Sequence, residues 1–215
     1  MRRRGASSGP VEAAPWAVLS FLLRYPDEEV MARRPEIAAA VGALPDDAYR
    51  APIERFLAAA PDATGAAAAA YVETFDLRRR ASLNLTYYAH GDTRERGMAM
   101  LRLKKLYRVA GLPLESPELP DHLAVMLAFA ALAPEGYGEA MLTEHLPAIE
   151  LLRLSLHDLD SPYAHLLDAV VAGLPALGVA ERAEVARLAR EGPPEEAVGL
   201  EPYGPPEAMP EGAHA

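Results

Sequence analysis

Apolar residues recur along this chain at spacings of three and four, a pattern typical of amphipathic α-helices. The clearest case is the stretch 93–110, in which four apolar residues are predicted to share one side and most charged residues to lie elsewhere. The apolar residues are Met98, Leu101, Leu106 and Val109, and the charged ones are Arg94, Glu95, Arg102 and Lys105. Asp92 followed by Glu95 predicts a capping box at its start, and Gly111 followed by Pro113 predicts its end. This stretch is therefore predicted to be one well-delimited helix.

Similar periodicity predicts a helix over residues 120–133 and another from Ser161 to about residue 174, with Ser161 as N-cap and Pro162 in the first turn. Weaker patterns predict helices at residues 13–24, 27–43, 46–60, 64–76, 138–157 and 180–190. Three prolines, Pro35, Pro52 and Pro147, should start, kink or split their segments. Since no stretch of the sequence alternates with period two, the predicted fold is all-α.

The predicted helices lie between two segments of different composition. Residues 193–215 are rich in proline, glycine, glutamate and alanine, and residues 1–10 are mostly small or polar after three arginines. Neither segment carries enough apolar area to offset the entropy of ordering, so both are predicted to be disordered tails. The length of 215 residues suits a single helical domain over residues 11–192.

The charge and cysteine content exclude several classes of function. The formal charge is −10, from 31 acidic and 21 basic residues, so nucleic acid is not expected as a partner. With no cysteine there is no thiol nucleophile and no cysteine-ligated metal, as suits a reducing cytoplasm. The apolar run 16–23 is too short to span a membrane. We therefore expect a soluble, cytoplasmic protein without membrane insertion.

Sequence signatures of catalysis are missing. The six histidines form no helical metal-binding pair, and the chain has no phosphate-binding, dinucleotide-binding or nucleophile-elbow motif. His157 with Asp158 and Asp160 resembles a base and its orienting acid, but polar residues are also expected where a helix closes. We predict no catalytic residue, no metal and no cofactor, and a helical enzyme with a dispersed site is the alternative.

Residues 71–97 stand out because they combine four aromatic residues with three consecutive arginines. Tyr71 and Phe75 are four apart, so they share a helical face that belongs either to the core or to the floor of a groove. The phenol groups of Tyr87 and Tyr88 favour a boundary between apolar and wet surface, which a binding groove provides.

Asp121 and His122 form the second distinctive site, at the predicted start of an apolar helix. A carboxylate there interacts favourably with the helix dipole, which alone would explain Asp121. Alternatively, the acid and the imidazole together could take a basic or hydrogen-bonding group from a ligand.

Residues 71–101, which end in Arg-Glu-Arg-Gly-Met-Ala-Met-Leu, resemble the signature of the respiratory nitrate reductase delta subunit family, the NarJ-type assembly chaperones. Residues 119–123 resemble the Asp-His motif of the wider TorD-like family of redox-enzyme maturation chaperones. Together with Leu-Leu-Arg-Tyr-Pro at 22–26, the resemblance covers about residues 16–175. The tryptophan- and acid-rich ending associated with the family is not evident in residues 195–204.

The resemblance implies a TorD-like helical bundle that acts as a chaperone and not as an enzyme. Its implied partner is the apo catalytic subunit of nitrate reductase, bound chiefly by the N-terminal segment while molybdenum cofactor and Fe–S clusters are inserted before membrane docking. Molybdenum cofactor biosynthesis proteins are further implied partners. A chaperone for another molybdoenzyme and a permanent structural subunit are the alternatives. We expect a client-binding groove lined by Tyr71, Phe75, Tyr87 and Tyr88, with Asp121 and His122 at its rim.

Overall fold

A computed structural model describes residues 15–44 and 46–194, which form eleven α-helices. The helices are α1 (Pro15–Leu22), α2 (Glu28–Val41), α3 (Asp47–Ala59), α4 (Thr64–Tyr71), α5 (Leu85–His90), α6 (Arg94–Val109), α7 (Leu123–Leu132), α8 (Tyr137–Glu144), α9 (Leu146–Asp158), α10 (Tyr163–Ala172) and α11 (Val179–Glu191). Within the described ranges the only extended pairing is an isolated antiparallel bridge between Asn84 and His122. The all-α prediction is confirmed, while the predicted tails, residues 1–10 and 193–215, lie outside the described residues except for residues 193 and 194.

The end of α4 passes directly into a π-helical turn, Val72–Asp76. The N–H of Leu77 donates to the Val72 carbonyl (3.1 Å), which is the wider i to i+5 spacing. A short 3₁₀ turn, Arg79–Ala81, follows before α5 begins. The helix predicted over residues 64–76 is thus present, but its last part is wound more widely than an α-helix.

Several predicted helix boundaries need correction. The N-cap of α6 is Thr93 and not Asp92. The Thr93 side chain makes no capping hydrogen bond, and its hydroxyl instead donates to the His90 carbonyl (2.8 Å). Asp92 instead pairs with Arg96 (2.9 Å), so the predicted capping box is wrong. The N-cap of α10 is Pro162, one residue later than predicted.

The other corrected boundaries involve α7, α8, α9 and three prolines. The segment predicted as one helix over 138–157 is split at His145, with Pro147 in the first turn of α9, as one of the outcomes expected of that proline. Pro35 and Pro52 lie inside α2 and α3. Helix α7 begins at Leu123, with His122 as its N-cap, and not at residue 120.

The first described helix lies among helices from the second half of the chain. Helix α1 packs against α7 and also contacts α10, while α10 packs against α3 and α9. Val18, Leu19 and Leu23 of this first segment are fully buried, and the Ser20 hydroxyl donates to the Ala124 carbonyl of α7 (2.7 Å). The core therefore depends on contacts between distant parts of the sequence.

Helices α7 and α8 approach each other closely at a glycine. A Cβ atom added to Gly138 would come within 2.5 Å of the Ala130 Cα atom, so only hydrogen fits at this position. Helix α7 is apolar on every side. Even so, none of the helices described is both long enough and apolar enough to cross a bilayer.

Candidate functional site

The two distinctive stretches of the sequence pair with each other in the structure. Leu83 and Leu85 run antiparallel to residues 121–123, on either side of the bridge between Asn84 and His122. The Leu85 N–H donates to the Asp121 carbonyl (3.0 Å), and the Leu123 N–H donates to the Leu83 carbonyl (2.8 Å). The backbone thus joins the start of α5 to the start of α7.

Asp121 is fully buried beneath this backbone pairing. The Thr86 hydroxyl donates to its Oδ2 atom (2.5 Å), and Nη2 of the largely buried Arg96 lies 3.5 Å from the same oxygen. The other carboxylate oxygen, Oδ1, has no hydrogen-bond partner among the described residues. A buried carboxylate requires hydrogen-bond or ion-pair partners, and Thr86 and Arg96 provide them for Oδ2. Asp121 therefore lies inside the protein, where it joins α5, α6 and α7, and not at a groove rim.

His122 has a different role from its neighbour. Its Nδ1 atom accepts a hydrogen bond from the Ala124 N–H (3.2 Å), which makes the imidazole the N-cap of α7. Burial lowers the pKa of His122 below its ordinary value, against the opposing effect of Glu118 and Asp121. At neutral pH the ring is therefore uncharged, with its proton on Nε2 when Nδ1 is the acceptor.

Tyr71 and Phe75 belong to a buried aromatic cluster. Their ring centroids lie 4.8 Å apart, and Tyr163 of α10 lies 5.9 Å from Tyr71 and 4.8 Å from Phe75. The Tyr71 hydroxyl donates to the Leu23 carbonyl (3.3 Å), and burial raises the pKa of this phenol. On the outer side, Tyr71 is in edge contact with the exposed Tyr25 (5.5 Å between centroids). The shared helical face is confirmed, and it faces mainly into the core.

Tyr87 and Tyr88 are neighbours with different surroundings. Tyr88 is buried, and its hydroxyl lies 3.1 Å from the Arg80 carbonyl and 3.0 Å from the Ser82 carbonyl. Tyr87 is half-buried, with the Arg96 guanidinium 5.7 Å from its ring centroid. Together with Phe75, Tyr87 lines a polar depression of about 260 Å³. The structure therefore does not bring the six predicted side chains into one groove.

A cavity of about 660 Å³ lies between the end of α1, the loop of residues 111–118 and α7. We call it the main groove. Tyr71 and His122 are the two predicted residues that line it. The apolar part of its wall comes from Tyr25, Tyr107, Leu112, Pro113, Leu114, Val125, Ala128, Phe129 and Leu132.

The charged residues of the main groove are mostly acidic. Asp27, Glu115 and Glu118 line it, and Arg24 is the one arginine or lysine among its described lining residues. At its open edge, the Leu132 side chain is 70% exposed. An apolar surface with an acidic border suits an amphipathic peptide that carries basic residues.

The sequence did not reveal most of this groove. Helix α7 is apolar all round, so its periodicity does not distinguish the face toward the core from the face toward the groove. The loop of residues 111–118 carries no motif. The available signal was the spacing of Val125, Phe129 and Leu132, which form a stripe along one side of the helix.

The His157 region is structural. The His157 Nε2 atom lies 2.8 Å from Asp168 of α10, and Arg153 bonds both Glu150 (2.8 Å) and Asp168 (3.0 Å). Although burial opposes ionisation, hydrogen bonds from His157 and Arg153 lower the pKa of Asp168. This network ties α9 to α10. In the described part of the chain, no group of three or more histidine, cysteine, aspartate or glutamate side chains has an arrangement that could hold a metal ion.

Comparisons with known proteins agree on one family. A model of the nitrate reductase delta subunit family matches residues 42–169. The probable nitrate reductase molybdenum cofactor assembly chaperone NarJ of Bacillus subtilis (strain 168) is 35% identical over 170 residues, which cover 79% of this chain and 92% of that relative. NarJ of Escherichia coli (strain K12), a nitrate reductase molybdenum cofactor assembly chaperone, is 36% identical over 158 residues, covering 72% of this chain and 66% of the relative.

A third relative is larger. The nitrate reductase-like protein NarX of Mycobacterium tuberculosis (strain ATCC 25618 / H37Rv) is 36% identical over 155 residues, which are 72% of this chain but only 23% of NarX. The two NarJ relatives are named as assembly chaperones, in agreement with the prediction that the chain is not an enzyme. The resemblance of residues 71–101 to the nitrate reductase delta subunit family is thereby confirmed.

Proposed function

The chain belongs to the nitrate reductase delta subunit family, and on that premise we propose that it is an assembly chaperone for nitrate reductase. Its client is the apo catalytic subunit, which it binds in the cytoplasm, chiefly through the client's N-terminal segment. Binding holds the client open for insertion of molybdenum cofactor and Fe–S clusters before membrane docking. Molybdenum cofactor biosynthesis proteins are the partners that act on this complex.

The main groove is the observation that supports this proposal most directly. Its apolar wall along α7 and its acidic border match a helical client segment with an apolar face and basic flanks. Each large client side chain buried there contributes about 1.5–3 kcal/mol. The bordering carboxylates Glu115 and Glu118 are exposed, so each ion pair with the client adds only about 0–1 kcal/mol. Apolar contacts should therefore dominate the affinity.

The six side chains singled out in the sequence divide into two groups in this proposal. Tyr71 and His122 line the main groove and contact the client directly. The others act through the shape of the protein: Phe75 and Tyr88 are packed in the core, Tyr87 covers Arg96, and Asp121 holds α5 and α6 against the start of α7.

The groove can be tested by calorimetric titration of the full chain with a synthetic peptide of the N-terminal segment of the nitrate reductase catalytic subunit. Leu132→Asp places a carboxylate on the apolar wall, and Val179→Asp is the matched control on α11, because the two side chains are 70% and 80% exposed. We expect at least a tenfold loss of affinity for Leu132→Asp, about 1.4 kcal/mol, and none for Val179→Asp. If both variants bind the peptide with equal affinity, the main groove is not the binding site. If the unmodified chain does not bind the peptide, the N-terminal segment is not the ligand.

The chaperone role is tested separately by purifying the protein with its partners from anaerobically grown cells. We expect the catalytic subunit to be recovered without molybdenum. If the catalytic subunit is recovered with its full complement of cofactor, this protein is instead a permanent subunit of the mature enzyme. If another molybdoenzyme is recovered, that enzyme and not nitrate reductase is the client.

A further inference from the structure

Helix α6 presents an unusual outer face for a chain with a net charge of −10. Its exposed basic residues are Arg94, Arg102, Lys104, Lys105 and Arg108. Between them lie three exposed apolar side chains, Met98, Leu101 and Val109, with exposures of 50%, 60% and 66%. We call these eight residues the outer face of α6, because helical spacing places them on one side of the helix.

The opposite side of α6 holds the helix to the protein. Leu103 and Tyr107 are buried, and the Tyr107 hydroxyl donates to the Pro120 carbonyl (2.6 Å). Among the described residues, none of the five cations of the outer face forms an ion pair. The outer face is therefore basic, partly apolar and without a partner in the part of the chain that the structure describes.

After α11 ends at Glu191, the chain passes close to the N-terminal end of α6. The Pro194 backbone lies directly against Gly91, so close that a side chain at position 91 would collide with the Pro194 carbonyl. Gly91 is three residues before the start of α6. The last described residue, Pro194, thus lies near the N-terminal end of α6, and residues 195–215 follow it in the chain. This segment carries five glutamates and no lysine or arginine, so its charge is opposite to that of the face.

We propose that the acidic segment, residues 195–215, binds along the outer face of α6. The helix is about 24 Å long, and 21 extended residues reach about 70 Å, so the segment can follow its whole length. Its glutamates pair with the five cations, and its few apolar residues, among them Leu200 and Tyr203, cover Met98 and Leu101. Ion pairing of this kind needs no packed core, so it is compatible with the low apolar content of the segment.

A spin label on the segment tests this contact directly. Because the chain has no cysteine, Ala208→Cys supplies a unique attachment site for a nitroxide, and the amide signals of the full chain are then recorded by NMR. We expect selective weakening of the α6 signals near Met98 and Lys105 at about 0.01 M salt. The weakening should disappear at about 1 M salt, where the Debye length falls from about 30 Å to about 3 Å.

Two paired variants separate this contact from a general charge effect. Arg102→Glu with Lys105→Glu should abolish the weakening, whereas Arg50→Glu with Arg55→Glu on α3 changes the net charge equally and should preserve it. Unweakened α6 signals at low salt would overturn the proposal, as would equal responses of the two pairs. If the α6 signals are unweakened and the chain instead binds vesicles of anionic phospholipid, the outer face belongs to a membrane surface and the proposal is wrong.

Discussion

Replacing Thr86 of α5 by valine should show how strongly the buried Asp121 carboxylate depends on its hydrogen bond from the Thr86 hydroxyl. Valine nearly matches threonine in shape but cannot donate a hydrogen bond, so the variant removes the 2.5 Å bond to Oδ2 and little else. Among the described residues, Arg96 would then be the remaining side-chain partner of that oxygen, at 3.5 Å.

The expected cost follows from the charge and the burial of the acceptor. A hydrogen bond to a charged group contributes about 1.5–3 kcal/mol, more than the roughly 0.3–1 kcal/mol of a carboxylate that only complements a helix dipole. For a domain of this size each 1 kcal/mol lowers Tm by about 2–4 °C. Thr86→Val should therefore lower Tm by about 3–12 °C.

Denaturant unfolding and thermal melting measure this loss, and Thr93→Val provides the matched control. The Thr93 hydroxyl donates to the neutral His90 carbonyl, for which about 0.5–1.5 kcal/mol is expected. A double-mutant cycle with Asp121→Asn should return a coupling of about 0.5–3 kcal/mol. A loss for Thr86→Val no larger than that for Thr93→Val, or zero coupling, would refute the reasoning.

Two further predictions concern the cap of α7 and the contact between α7 and α8. The pKa of His122 is lower in the folded protein than in the unfolded chain, so on acidification the unfolded chain binds the proton first. The free energy of unfolding should therefore fall as pH drops from the ordinary pKa of 6.5 to the folded-state pKa. His122→Asn keeps an N-cap acceptor and should flatten that pH dependence in urea unfolding, whereas an unchanged slope would place its origin elsewhere. Gly138→Ala should cost about 1–3 kcal/mol in the same assay, because its Cβ meets Ala130. Gly97→Ala, with open space around it in α6, should instead stabilise by about 0.5–1 kcal/mol, and equal effects of the two would contradict the close approach.

Hydrophobic periodicity predicted the helices well where one face of a helix meets the core. The bounds of helix α6 were predicted within one residue at each end, but its buried face was predicted wrongly, because Leu103 and Tyr107 are buried. Three of the four apolar residues predicted for that face, Met98, Leu101 and Val109, are exposed among the charged residues. The exact N-cap was missed because Asp92 and Thr93 are adjacent residues of types that both favour this position.

The candidate site was harder to predict because its partners are distant in sequence. The spacing of Tyr71 and Phe75 predicted a shared face, but Tyr163, which covers that face, lies about 90 residues later. In the sequence Asp121 lies at a predicted helix start, where either the helix dipole or a bound ligand could explain a carboxylate. Its main partner, Thr86, is 35 residues upstream, so the burial of this carboxylate could not be derived from neighbouring residues.

The central position of α1 also has a consequence for synthesis of the protein. Helix α1 leaves the ribosome before α7 and α10, against which it packs, and α10 ends about 150 residues after Leu22. At about 5–20 residues per second, the apolar α1 waits on the order of 8 to 30 s for its last partner. The nascent chain therefore cannot complete its core during translation of the first half, and in that interval it needs protection from aggregation itself.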